Sequence, residues 1–399
     1  MRAEPLFSII LATHGRGGLI KPTIESVLRQ SFGDFELIVV GDGCIDDTGQ
    51  AVASFASDKI SWRSLAQNSG SQSAPNNEGL RHARGERIAY LGHDDIWAPD
   101  HLARLRDALA AGADFAVSGC IYYGPEGSEV YYVAGLFDAS DAAFRDFFPP
   151  SSFAHRREVC ERIGRWRHPR TLASPVDVNF VLRAAHAGLR FRSTGAITVH
   201  KFAAGHRYLS YLRPSADEQI AMLARLARGA ANLERIVAGA QTMRLGDYSQ
   251  VGPGVLADRN RASKGLSRPA LRELSGRAVI AQTHEPRALD WYAVEHDGSR
   301  PFRWSGPNPR PKILIPFTGT AARIAICLRR PLAGEVSVRV EEQPVEHTIE
   351  AGPDGTCAIV VRASLRQSDY TVLTLQTPMS GGPERRGVAV GDIVLEPEP

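Results

Sequence analysis

Short apolar runs alternate with stretches of helical period from residue 6 onward, and this alternation leaves a chain few options. Runs of six are too short for a buried helix, and the segments between them are long enough to cross back over a sheet. The pattern therefore specifies parallel strands flanked by helices. Residues 7–12 read as the first strand and residues 35–40 as the second, ending at Asp42 and Gly43. Between them Pro22 opens a helix whose Ile24, Val27 and Leu28 share one apolar face. A helix over 48–55, a weak strand near 60–65, a helix near 75–83 and a strand over 87–91 follow. A helix that Pro99 starts, with Leu102, Leu105 and Leu109 inward, stops at Gly112. Strands near 115–118 and 129–133, a helix over 176–187 closed by a left-handed Gly188, and runs at 190–192 and 196–200 complete the series.

The character then changes twice. Residues 215–262 are rich in Ala, Leu and Arg and read as helical, with no strand signal. From about 271 short alternating strands lie between Gly/Pro turns, at 313–315, 324–328, 336–340, 358–361, 370–375 and 388–390. Strands without intervening helices specify a β-sandwich. The expected organisation is an α/β domain over 1–214, a helical arm over 215–270 and an all-β sandwich over 271–399.

Charge and cysteine usage narrow the function classes. With 47 basic and 44 acidic residues the net charge is +3, too small to point to nucleic acid. Five cysteines without a CxxC pair suggest neither a disulfide framework nor a zinc knuckle, and fit a reducing compartment. The apolar run at 6–12 is too brief for a signal sequence or a spanning helix, so a cytoplasmic location is expected.

Three places carry candidate chemistry on residue type alone. Asp94 and Asp95 follow the apolar run Ile88-Ala89-Tyr90-Leu91 and precede Ile96-Trp97-Ala98-Pro99, where a strand ends and a helix is expected. Two hard oxygen donors there suit Mg²⁺ or Mn²⁺ and a diphosphate, and equally a helix-capping turn. Asp42 ends a strand, where a carboxylate accepts from a base or ribose or caps the next helix. The turn Gly15-Arg16-Gly17-Gly18 lacks the register of a dinucleotide-binding loop, and no Walker lysine is present.

Longer motifs join these places. Ser8-Ile9-Ile10-Leu11-Ala12-Thr13-His14, Thr23-Ile24-Glu25-Ser26-Val27-Leu28-Arg29-Gln30-Ser31-Phe32 and Phe35-Glu36-Leu37-Ile38-Val39-Val40-Gly41-Asp42-Gly43 come in order. Asn68-Ser69-Gly70, Ala74-Pro75-Asn76-Asn77-Glu78-Gly79, Ala83-Arg84-Gly85-Glu86 and Ile88-Ala89-Tyr90-Leu91-Gly92-His93-Asp94-Asp95 continue the run. Over about residues 6–206 the chain resembles the family 2 glycosyltransferases of the GT-A fold, a Rossmann-like nucleotide-diphospho-sugar transferase domain.

The resemblance implies roles position by position. Ala12, Thr13, His14 and Asp42 match the wall that holds the nucleotide, with Asn77 among the substrate-binding positions. Asp94 matches a contact to ribose or first phosphate and Asp95 the ligand of a bound Mn²⁺ or Mg²⁺. Gly41 and Gly92 stand where acidic residues are frequent in the family, and His93 fills a variable position. Asp177 matches the catalytic base at a helix start, where Val176 replaces a glutamate; helix capping is its structural reading. His200 matches a histidine that closes the metal site, with Lys201 or Arg207 adding charge; a structural histidine is the other reading. Trp166 falls in the acceptor region, suited to stacking on a sugar ring or to the core.

The function implied is a metal-dependent, inverting transfer of a sugar from a nucleotide-diphosphate donor, UDP-sugar favoured, to a hydroxyl of a glycan or lipid-linked acceptor in surface polysaccharide biosynthesis. Peripheral contact with the inner membrane face, through the Arg-rich arm, and an oligomeric state are compatible with it; nucleic acid is not an expected partner. Trp291-Tyr292 and Phe302-Arg303-Trp304 offer either a sugar-stacking platform or core aromatics in the sandwich. The rival reading is a catalytically inactive glycan- or nucleotide-binding protein on the same fold, motivated by Gly41, Gly92 and Val176. A nucleotidyltransferase is a third reading, without a phosphate loop to support it.

Overall fold

Two largely apolar strands set the frame of the sheet: β1 (Phe7–Thr13) and β2 (Phe35–Gly41) run parallel in register from Phe7↔Phe35 to Thr13↔Gly41. The computed structural model describes residues 4–124, 131–138, 148–202, 214–229, 241–242, 271–281, 291–298, 300–306, 309–332, 334–352, 356–368, 370–380 and 386–398. The chain divides into two units, the first Met1–Tyr123 with Tyr131–Lys264 and the second including Gly265–Pro399.

In the first unit α1 (Lys21–Leu28) takes Pro22 into its first turn and buries Ile24 and Val27 completely. The strand β2 is followed by α2 (Thr48–Ala53), β3 (Ile60–Ser64), α3 (Ser73–His82) and β4 (Arg87–Gly92). All of β2 is buried, including Glu36, whose charge is met by Arg84 Nε and Nη2 at 2.9 and 2.7 Å and by Ser8 Oγ at 2.6 Å. Those motif residues therefore hold the amino end of the sheet together. Next come β5 (Asp95–Trp97), α4 (His101–Ala110), β6 (Phe115–Tyr123), β7 (Tyr131–Ala134), β8 (Phe153–Arg156), α5 (Val159–Ile163), α6 (Val176–His186), β9 (Phe191–Lys201), α7 (Asp217–Ala227) and β10 (Gln241–Thr242).

The sheet order is β10-β7-β6-β8-β4-β1-β2-β3, with β9 pairing β6 and β5 pairing β9. Strands β2 and β3 extend to one side of β1 and β4 lies on the other, all parallel. The strand order thus reverses at β1, and the crevice at the carboxyl ends of β1 and β4 is where such sheets bind ligands. Beyond β4 the sheet becomes mixed, since β8 is antiparallel to both β4 and β6.

Four differences from the sequence reading have physical causes. The stretch between Asp94 and the helix expected from Pro99 is not a plain lead-in to that helix: Asp95, Ile96 and Trp97 form β5, antiparallel to β9 with Asp95↔Lys201 and Ile96↔His200. The residues are fully or almost fully buried, which a strand between two layers allows and an exposed first helical turn does not. Helix α4 begins four residues past Trp97, and Gln30 Oε1 accepts from Leu102 N at 2.9 Å as its cap. The runs at 190–192 and 196–200 join into the single strand β9, whose pairing with β6 shifts register between Val117 and Cys120. A two-residue strand, β10, lies in the stretch read as helical, and α7 belongs to the first unit through Gln219 Nε2, 3.1 Å from the Asp94 carbonyl. Residues 243–270 and Arg207 lie outside the described residues.

In the second unit Lys312–Ile315, Ala322–Leu328, Ser337–Val340, Cys357–Ala363, Thr371–Gln376 and Ala389–Pro397 form two antiparallel sheets that share one apolar core, a sandwich. The core includes Ile315, Ile324, Ile326, Leu373 and Leu395, all 0% exposed. The hairpin Trp291–Asp297 with Arg300–Ser305 splits its aromatics between faces. Trp291 packs on the core and donates to the Lys312 carbonyl at 2.9 Å, whereas Phe302 and Trp304, two apart on one strand, share the other face with rings 6.4 Å apart, and Trp304 and Tyr292 are half-buried beneath the Arg386 guanidinium, 5.6 Å from each ring. Among the described residues no helix is long and apolar enough to cross a membrane.

The lock between β5 and β9 is an ion pair: Lys201 Nζ lies 2.8 Å from Asp95 Oδ2, and the Ser151 hydroxyl donates to the same oxygen. Lys201→Met leaves that carboxylate buried without its counter-charge and should destabilise the first unit by about 3 kcal/mol. Urea unfolding followed by tryptophan fluorescence measures it, and a loss below about 1 kcal/mol contradicts the assignment. A second expectation concerns acid. Burial lowers His101 to about 3 and His155 to about 4, and burial followed by Arg225 lowers His200 to about 4. The unfolded chain then binds protons that the folded chain refuses as pH falls from about 6.5, so stability present at neutral pH is lost on acidification, by about 2 kcal/mol per histidine at about pH 5. Thermal unfolding midpoints between pH 7.5 and 5 should fall, and less steeply for His155→Gln; identical slopes for both proteins contradict the prediction.

Candidate active site

At the carboxyl ends of β1 and β2 the backbone of one strand holds the next. Asp42 N donates to the Thr13 carbonyl at 2.7 Å, and His14 Nδ1 donates to the Asp42 carbonyl at 2.8 Å. The Asp42 carboxylate is 4% exposed and accepts from Ser69 N (2.9 Å), Ser69 Oγ (3.0 Å) and Asn68 Nδ2 (3.2 Å). Asp42 therefore fixes the Asn68-Ser69 turn and does not cap α2, whose Thr48 N and Oγ1 are 3.3 and 2.6 Å from Asp46 Oδ1. The Thr13 hydroxyl is buried with no partner among the described residues, and Ala12 is half-buried beside it. Cys44, which the sequence reading left out, lies against the same wall: Gly15 N is 3.4 Å from its sulfur, and burial raises its thiol above the ordinary range. Gly41 is glycine for space, since a Cβ would stand 2.5 Å from the Trp62 ring.

Across the strand-order reversal, at the end of β4, the two adjacent carboxylates have different surroundings. Asp94 is 17% exposed and faces a cleft lined by Arg16, Leu19, His93, Phe202, Ser215 and Gln219. Arg16 Nη2 stands 3.8 Å from Asp94 Oδ2, and His93 Nε2 4.0 Å. Arg16 is itself buried, and its turn is held by Arg16 N and Gly17 N donating to Thr48 Oγ1 at 3.2 and 2.8 Å. The glycine turn thus serves to carry a cation to the carboxylate. Asp95 is 0% exposed and turned inward onto Lys201 and Ser151, while its Oδ1 has no partner among the described residues. Burial raises the Asp95 carboxyl, and Lys201 opposes that; for Lys201, burial favours the neutral amine but Asp95 and Asp94 outweigh it and hold the ammonium charged. Gly92 follows from this: a Cβ there would lie 2.7 Å from Asp95 Oδ2.

The expected metal pair, Asp95 with His200, is not brought together. Neighbours along a strand point to opposite faces, and the register sets Asp95 opposite Lys201 but Ile96 opposite His200. His200 is fully buried with Nδ1 2.9 Å from Tyr123 Oη, beside the apolar group of Ile96, Tyr123 and Phe202. Among the described residues no three His, Cys, Asp or Glu side chains gather as a ligand set. Asp94 does fit a hard divalent ion: its carboxylate reaches the cleft, and an ion that takes most of its ligands from a diphosphate and water needs only one or two carboxylates from protein.

Helix α6 presents Asp177 in its first turn, half-buried, with Oδ1 accepting from Val178 N at 3.0 Å. The cap position belongs to Pro175, so the carboxylate adds charge at the positive end of the helix without serving as its N-cap. Trp166 is 3% exposed and lies flat on Phe180, with centroids 4.5 Å apart and planes 3° apart, so its ring belongs to the core and is not offered to a sugar. Asn77 explains how it is held: Nδ2 donates to the Trp166 carbonyl at 2.8 Å and Oδ1 accepts from Trp166 N at 3.0 Å. Both residues therefore hold the segment around Trp166 in place. Ser151, Lys201 and Arg16 are the participants that residue-type reasoning missed or misread; the register of β5 against β9 exposes Lys201, the hydrogen bonds to Asp95 and Gly92 expose Ser151, and the Thr48-held turn exposes Arg16.

Residues 8–161 match the family model described as glycosyl transferase family 2. An uncharacterized glycosyltransferase of Nostoc is 29% identical over 174 residues, 39% of this chain and 52% of that protein. The UDP-Glc:alpha-D-GlcNAc-diphosphoundecaprenol beta-1,3-glucosyltransferase of Escherichia coli is 34% identical over 97 residues, 24% of this chain and 38% of that protein. The poly(ribitol-phosphate) beta-N-acetylglucosaminyltransferase of Staphylococcus aureus is 30% identical over 151 residues, 37% of this chain and 45% of that protein. The chain thus spans about half the length of these curated relatives, or less. With a GT-A-like sheet and its strand-order reversal, the matched stretch over residues 8–161 is thus similar to glycosyl transferase family 2.

Proposed function

We propose that the first unit transfers a sugar from a nucleotide-diphosphate donor, with UDP-sugar favoured, to a hydroxyl of a glycan or lipid-linked acceptor, with inversion, in the assembly of a surface polysaccharide. The observation that carries this reading is the crevice at the β1/β4 reversal, where the Thr13–His14 end of one strand faces the Asp94 end of the other. The printed names of the two characterised relatives, one using UDP-Glc and both building on phosphate-containing acceptors, support the choice of donor and acceptor class.

The roles follow from position. Ala12, Thr13 and His14 offer a polar floor for the base, and Asp42 acts behind it by fixing the Asn68-Ser69 turn. Arg16, buried and set beside Asp94, meets diphosphate charge. A divalent cation, Mn²⁺ or Mg²⁺, would be held by Asp94, and when bound it supplies positive charge against the departing diphosphate. Asp177 takes the proton of the acceptor hydroxyl as that oxygen bonds to the anomeric carbon and the bond to the diphosphate oxygen breaks on the opposite face. One displacement of this kind inverts the centre.

Asp177→Asn should lower turnover by about two to four orders of magnitude while leaving donor-induced thermal stabilisation unchanged, because general-base catalysis is worth that much. Nucleoside diphosphate release in the presence of acceptor measures it, and an unaltered rate removes Asp177 from the mechanism. Asp94→Asn should weaken metal-dependent donor stabilisation itself. Wild-type protein that binds nucleotide sugars yet never releases nucleotide would instead favour the inactive binding protein.

A further inference from the structure

We propose that the exposed face of the segment joining α5 to α6 binds a phosphate group carried by the acceptor. The inference rests on the acceptor side of the proposed transferase and names the acceptor's chemistry. From Arg162 to Val176 the chain holds four arginines and a histidine with no acidic residue, and the next carboxylate is Asp177. In a chain with nearly balanced charge, 47 basic against 44 acidic, that local excess is unusual. Arg162, Arg165, Arg167, His168 and Arg170 are all exposed. Among the described residues Arg165 and Arg167 have no carboxylate partner, and Arg162 donates only to the Ala187 carbonyl, at 3.2 Å.

The segment is held in place by groups that face the other way. Asn77 clasps both backbone groups of Trp166, and the indole lies on Phe180. Arg183, from the middle of α6, donates to the Gly164 carbonyl at 3.2 Å and the Arg165 carbonyl at 2.9 Å, and to the Ile163 carbonyl as well. Burial first and then the neighbouring Arg167 hold Arg183 below its ordinary pKa. A fixed backbone with its guanidinium groups outward loses little freedom on meeting an anion, and planar guanidinium groups match phosphate oxygens in pairs. The anchoring helix, joined to the segment through Arg183, is the one that begins at Val176 and carries Asp177, so the arginine face is fixed to the same element as the proposed base.

The test uses the full chain, a fluorescently labelled ribitol-phosphate oligomer and a neutral dextran oligosaccharide of the same length, read by anisotropy. The phosphate oligomer should bind, the dextran should not, and Arg165→Ala/Arg167→Ala should weaken binding about tenfold, with Arg165→Lys/Arg167→Lys recovering part of the loss. Binding should also fall several-fold between about 50 and 200 mM salt. Nucleotide release from donor alone should be the same in all these variants, which separates failure of this inference from failure of the transferase reading. Equal binding of both oligomers, or no change in the double alanine variant, overturns the proposal. So does arginine-dependent binding to phosphatidylglycerol vesicles with no binding of the soluble phosphate oligomer, since the face would then be a membrane contact.

Discussion

A carboxylate shut away from water and a mostly buried ammonium join β5 to β9, and the site takes its form from that pair. Asp95 reaches Lys201 at 2.8 Å only because it lies in a strand and not in a helix turn. Asp94, in the turn just before β5, keeps its carboxylate at the cleft beside Arg16. The inward turn of Asp95 excludes a side chain at position 92, and ties Ser151 to Gly92 N at 3.0 Å. A buried pair of this kind adds little net stability over apolar packing, but removing one partner is costly. It specifies which carboxylate the cleft receives.

From that division the carboxylates of the crevice separate by task. Asp42 is spent on three donors that shape a turn, Asp95 on Lys201 and Ser151, and only Asp94 remains at the cleft with Arg16 beside it. Asp177 stands apart on α6. One carboxylate for the donor and one for the acceptor are enough for a single displacement, provided each is placed by neighbours that do no chemistry themselves. The Asn77–Trp166 clasp and the Gln30 cap on α4 are such neighbours.

Much of this was legible in the residues. The period-two and period-3.6 runs specified the central strands and the helices α1, α3, α4 and α6 to within a few residues, because each buries one continuous apolar face. The sandwich strands were legible for the same reason. The motif run placed Asp42 and Asp94 just past the carboxyl ends of β2 and β4. What stayed hidden depends on contacts between distant segments. Nothing local in Asp95-Ile96-Trp97 distinguishes a strand from a helix start, and only pairing with residues 199–201 decides it. His200 and Lys201 differ by one position, yet register sends one to the apolar group at Tyr123 and the other to Asp95. Trp166 carries the chemistry of a sugar platform, and its fate was set by Phe180.

The central claim is that Asp94, and not Asp95, faces the donor's cation. Anomalous diffraction from crystals grown with Mn²⁺ and a nucleoside diphosphate would locate the metal directly. The account predicts a peak bonded to an Asp94 oxygen, with Lys201 still on Asp95; a peak bonded to Asp95 with Lys201 displaced would contradict it.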